Sequence, residues 1–146
     1  MRIAVSLMTL LLATVTISAA ALPEPTPETV VFSGYKDVTI GMPAAEVREK
    51  LGSPKEKSDT VDLYIFSDDE SAQFYYQEGK VTAIMITYAG DLNKAPTPKA
   101  VFGEDAEANA EGGIFKMVRY PKAGFWISYN RTTGDDAIVT IAMQKI

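Results

Sequence analysis

The sequence predicts an α+β domain: two tandem helix-loop-three-strand repeats sharing one antiparallel sheet, with the helices on one face. Three observations lead there. Two short helical segments with clear stops each precede three strand-like runs. The two sets fall into register on one another. Neither set could bury enough apolar surface to stand alone.

In the first half, Ile40-Gly41-Met42-Pro43 leads into Ala44 to Gly52. Pro43 suits a first helical position, Val47 and Leu51 lie one turn apart, and Gly52 followed by Pro54 ends the helix. A polar loop, Lys55 to Thr60, precedes three strand-like runs: Leu63 to Phe66, Ala72 to Gln77 and Val81 to Tyr88. Glu78-Gly79-Lys80 between the last two is a hairpin signal. In the second half, Thr97 caps a short helix beginning at Pro98 and running to Gly103. A polar loop, Glu104 to Gly113, leads to Ile114 to Tyr120, a Pro121-Lys122-Ala123-Gly124 turn, Phe125 to Asn130 and Ala137 to Met143. When Leu51-Gly52 is laid on Phe102-Gly103, Tyr64 falls on Phe115 and Phe66 on Met117. Phe74-Tyr75-Tyr76 then falls on Phe125-Trp126-Ile127. The predicted organisation is a single domain over residues 34–146, with repeats of about 34–92 and 93–146.

Residues 1–21 read as a secretory signal peptide: Arg2, an apolar stretch from Ile3 to Ile17, and the small-residue exit Ser18-Ala19-Ala20-Ala21. The stretch is shorter than the ~20 apolar residues a membrane span requires. Cleavage after Ala19, Ala20 or Ala21 suits a peptidase that selects small side chains. Residues 22–33 form a Pro-rich leader. The expected location is the periplasm or the medium, with no membrane span after cleavage.

Composition excludes several chemistries. The chain has 146 residues, no Cys, no His and a formal net charge of −5. Disulfides, thiol catalysis and lipid attachment through Cys are ruled out, and the commonest general base is missing. Without a basic run, nucleic acid and anionic membranes are poor partners. The six serines beyond the predicted signal peptide (Ser33, Ser53, Ser58, Ser67, Ser71, Ser128) lack a His, and no motif marks a Ser-Lys pair. The acidic turns Asp68-Asp69-Glu70 and Glu104-Asp105 match no EF-hand spacing and read as solvated surface. No enzyme activity, metal or cofactor is expected.

Strand alternation then separates two faces. Phe74, Tyr76, Phe125 and Ile127 point to one side, with Tyr64, Phe66, Phe115 and Met117 expected on that same helix-covered side. The opposite side would show Gln73, Tyr75, Gln77, Trp126, Ser128 and Asn130, joined by Lys116 and Val118. Two aromatics framed by amides and a lysine suit a protein-binding face; the same aromatics equally suit packing.

Ile40-Gly41-Met42-Pro43, Glu46-Val47, Leu51-Gly52-Ser53-Pro54, Tyr64-Ile65-Phe66 and Gly79-Lys80-Val81 resemble the SmpA/OmlA/BamE family of small bacterial envelope proteins. The β-lactamase-inhibitory-protein fold is related, with two tandem copies of the unit. The resemblance covers residues 38–88 directly and 97–143 through the internal repeat. Pro43 stands where the family usually carries a helix-capping Thr or Ser, and no Cys is present to carry a lipid. What the resemblance implies is protein–protein binding without catalysis. The expected function is therefore an exported, soluble, inhibitor-like binder of a secreted or envelope protein. The alternative is an assembly factor of the cell envelope.

Overall fold

A computed structural model describes residues 29–146. The predicted signal peptide and most of the predicted leader lie outside the described residues. The element order is α1 (Ala44–Leu51), β1 (Glu56–Lys57), β2 (Val61–Ile65), β3 (Glu70–Gln77), β4 (Lys80–Tyr88), a 3-10 turn (Leu92–Lys94), α2 (Pro98–Phe102), β5 (Ile114–Tyr120), β6 (Phe125–Arg131) and β7 (Val139–Lys145).

Local chemistry accounts for the element ends. Glu78 and Gly79 both have positive φ, 52° and 72°, the two-residue turn whose twist matches that of the flanking strands. Pro43 precedes α1 and offers no side-chain cap. The hairpin supplies what the sequence lacks: the Ala44 N–H donates to the Gly79 carbonyl at 2.9 Å. At α2 the Thr97 hydroxyl accepts from the Ala100 N–H, Pro98 is the first helical residue, and Gly103 closes the helix in the left-handed conformation.

The predicted architecture needs correction. The seven strands form one antiparallel sheet in the order β1-β2-β3-β4-β7-β6-β5. The helices are only eight and five residues long. This is a largely all-β molecule, and the expected two-repeat α+β arrangement with a helical face is not what forms. The physical reason is length. Between Pro43 and Gly52, α1 buries one residue, Val47, and α2 buries Val101 and Phe102. Two such helices cannot make a layer, so the sheet itself carries the fold. The Lys55–Thr60 loop was also misjudged, since β1 within it pairs with β2.

The core lies against one sheet face. Phe74, Ile84, Met143 and Ile127 form a continuous cross-strand row from β3 to β6, each essentially inaccessible. Ala72, Ile86, Ile141 and Tyr129 make the next row. Each large apolar side chain in these rows contributes about 1.5–3 kcal/mol. Val47, Val101, Phe102 and the N-terminal Tyr35 and Val38 join the same cluster.

One charge lies inside it. Asp62 on β2 is 0% exposed and is gripped by Arg48 of α1, from Nε at 2.8 Å and Nη2 at 3.0 Å. The Tyr76 hydroxyl donates to it at 2.9 Å, and Arg48 Nη2 also donates to the Ser58 carbonyl at 2.9 Å. Burial drives the Asp62 carboxyl up. The bonds from Arg48 and Tyr76, with the Arg48 charge, outweigh burial and hold it below the ordinary value. Burial first, and then the bond to Asp62, drives the Tyr76 hydroxyl up, with the Arg48 charge opposing.

Two predictions follow from this packing. Asp62→Ala leaves Arg48 without its partner and should cost about 3 kcal/mol at neutral pH. The native pKa is depressed, so the carboxylate stabilises fully above its unfolded value of 3.8 and ceases to as pH falls through the native one. The gap between denaturant melts of wild type and variant should therefore begin to close only below about pH 4; a constant gap would contradict the assignment. Glu78→Asn should raise the melting temperature by a few degrees, because Asn tolerates positive φ at about 1 kcal/mol less cost. An unchanged or lower melting temperature would count against the strain ascribed to Glu78.

Candidate functional site: an uncovered sheet face

The opposite sheet face is read directly from the register. One row runs Leu63, Gln73, Met85, Ala142, Ser128, Met117 across six strands. A second runs Val61, Tyr75, Ala83, Gln144, Trp126, Arg119, and a third Ile65, Ser71, Thr87, Thr140, Asn130, Phe115. None of these eighteen residues is buried, and none belongs to or packs against the core cluster.

The face brings together six of the seven residues singled out from the sequence. Tyr75, Gln73, Trp126 and Ser128 are half-buried on neighbouring strands, and Asn130 is exposed. Gln77 is exposed at the β3 end, opposite Lys80. Tyr75 donates its hydroxyl to Gln73 Oε1 at 2.5 Å, which holds both side chains along β3.

Lys116 does not belong to it. It lies on the core side, its Nζ bonded to Glu104 at 2.5 Å and 5.4 Å from the centre of the Phe102 ring. Its ammonium lies over the Phe102 ring and pairs with the exposed Glu104 carboxylate. Val118, expected beside it on the open side, packs against the core. Conversely Phe115 and Met117, expected under the helices, are 69% and 51% exposed. The whole of β5 is thus turned over by one residue relative to expectation. Its sequence Ile-Phe-Lys-Met-Val-Arg-Tyr has apolar residues on both faces, so alternation alone does not choose between them. The turn does choose. Four residues, Pro121 to Gly124, place Tyr120 opposite Phe125; since Phe125 is in the core, so are Tyr120 and Val118. That parity was countable from the sequence.

The electrostatics of the face are simple. Charged side chains on the strands stand only at its rim: Glu56 on β1, Lys80 at the hairpin and Arg119 on β5. The centre is aromatic, methionine, amide and hydroxyl. Protein–protein interfaces have this composition, charge-poor at the centre with Trp, Tyr, Met and Arg enriched. One arginine is far from the clustered basic surface that nucleic acid requires. Nothing on the face pairs an acid with a base, so it offers no proton-transfer chemistry.

The acidic turns are occupied by lysines. Lys94 meets Asp69 at 2.5 Å, and Lys116 meets Glu104 as above. The Lys94 bond is the main reason the Asp69 carboxyl lies below its ordinary value. Among the described residues no group of three acidic side chains is placed to hold a metal ion. No described helix is long and apolar enough to cross a membrane.

Substitution along β5 distinguishes the two faces. Phe115→Ser and Met117→Ser should each change stability by no more than about 0.5 kcal/mol, while Val118→Ser should cost 1 kcal/mol or more. Chemical denaturation of the three variants measures this, and a large loss for Met117→Ser would mean that the face is covered.

No family model, curated protein or solved structure matches this chain, so the resemblance noted above stands on its quoted residues alone.

Proposed function

We propose that this chain is an exported protein-binding module that grips another exported or envelope protein with its uncovered sheet face. The observation behind this reading is a broad, charge-poor surface carrying Tyr75, Trp126, Met85, Met117, Phe115 and Ile65, with charge confined to the rim. Exposed apolar area of this kind is costly to a free protein and commonly marks a site of association. Rigid strands hold these side chains in place, so little ordering entropy opposes binding.

Trp126 and Tyr75 are the expected anchors, with Phe115 and Met117 extending the contact toward β5. The signal-peptide-like residues 1–21 support export. The resemblance to small envelope proteins points to the same class, and an inhibitor-like binder is the form of it that this face favours. Aromatic anchors seated in a partner carry about 2 kcal/mol or more each on truncation.

Trp126→Ala should therefore weaken the complex with its partner tenfold or more, measured by calorimetry or surface binding. Its thermal unfolding should stay close to that of the wild type. Unchanged affinity with an intact fold would remove this face from consideration.

A further inference from the structure

The two edges of the sheet differ. β1 is a two-residue strand, a length that offers little to an incoming chain. At the other edge β5 has seven residues and, among the described residues, no strand beyond it. Only its start is covered: Ala108 bridges Ile114, and the Asn109 N–H donates to the Gly113 carbonyl at 2.7 Å. An uncovered strand presents a row of free N–H and C=O groups, and sheets usually guard such edges with charge, proline or a bulge. On β5 the lysine that could serve, Lys116, is held back toward Glu104 and Phe102. Phe115 and Met117 stand exposed instead.

We infer that β5 pairs antiparallel with β5 of a second copy of this chain, joining the two sheets into one. The strand is self-complementary. Met117 is its midpoint, so a two-fold axis through Met117 pairs the five residues Phe115 to Arg119 and leaves Ile114 to its bridge with Ala108. In that register Phe115 lies beside Arg119 of the second copy, and Lys116 beside Val118. No cation faces a cation, and each guanidinium meets an aromatic ring, a favourable contact. β5 carries two cations and no acid, so a register that set them against each other would repel. Because the contact is isologous it closes at two copies, and the short β1 edges give the joined sheet nothing to extend from. The apolar stripes of the two open faces become continuous across the axis. This inference does not rest on the partner proposed above, since Trp126 lies on the neighbouring strand.

Light scattering or sedimentation over a concentration series reads the mass directly, with a shift from one copy to two expected. Met117→Lys sets two ammonium groups across the axis and should raise the dissociation constant tenfold or more. Phe115→Glu places an acid beside Arg119 of the second copy and should leave the dimer intact or tighter. Amide exchange of β5 in the unmodified chain gives a reading independent of any variant: protection should rise with concentration. A single-copy mass throughout, or β5 exchange independent of concentration, overturns the proposal. So does a dimer indifferent to Met117→Lys, or one that Phe115→Glu weakens equally, since either outcome means contact without this register.

Discussion

The pairing of β4 with β7 joins a meander of four strands, the first only two residues long, to one of three, and neither could persist alone. A three-stranded sheet with a few short covering segments is marginal in water. Across the seam Ile84 meets Met143, Ile86 meets Ile141 and Tyr88 meets Val139. All six residues are buried, so the centre of the core lies on this junction. Everything else is arranged with respect to it. The short helices and the N-terminal segment each place one or two side chains over the same rows.

Covering a wide sheet with so little helix leaves the arrangement of the cover to specific ties. The Asp62–Arg48–Tyr76 cluster ties α1 to β2 and β3, and the Gly79 carbonyl holds the α1 N-terminus. A buried carboxylate is worth little as net stabilisation compared with an apolar substitute, but it is expensive to leave unpaired. It therefore acts chiefly on position: α1 must sit where Arg48 reaches Asp62. The eight-residue helix has one fully buried side chain to place it otherwise.

The same economy of cover explains the open face. A single sheet has two sides, and helices of eight and five residues with a few loop side chains suffice for one. The second side is left to water, yet it is not built like a solvated surface, since its charges sit at the rim. A face designed only for water would alternate Lys, Glu and Thr along its strands. Aromatic and methionine side chains there make sense when another protein surface completes the sandwich, which is the reading proposed above.

The amino-acid sequence by itself determined much of the local structure. It placed six of the seven strands within a few residues, both helices, the Pro98 start of α2, the glycine stops and the Glu78-Gly79 turn, because these depend on neighbouring residues alone; Pro43 instead stands one residue before α1. It also separated the faces correctly on β3 and β6, where apolar and polar residues alternate, and so it put Tyr75 and Trp126 on the open face. Tertiary structure decided the rest. Helix length against sheet width set the architecture as mostly sheet, a balance that no local pattern expresses. The two-residue β1 has too little sequence to signal itself. On β5 both faces carry apolar side chains, so alternation does not orient it; the four-residue turn and the pairing of Tyr120 with Phe125 do, a parity present in the sequence but not in its hydrophobic pattern. Lys116 left the expected site, while Phe115 and Met117 entered it, because that pairing turns Lys116 to the core side, where Glu104 and Phe102 meet it.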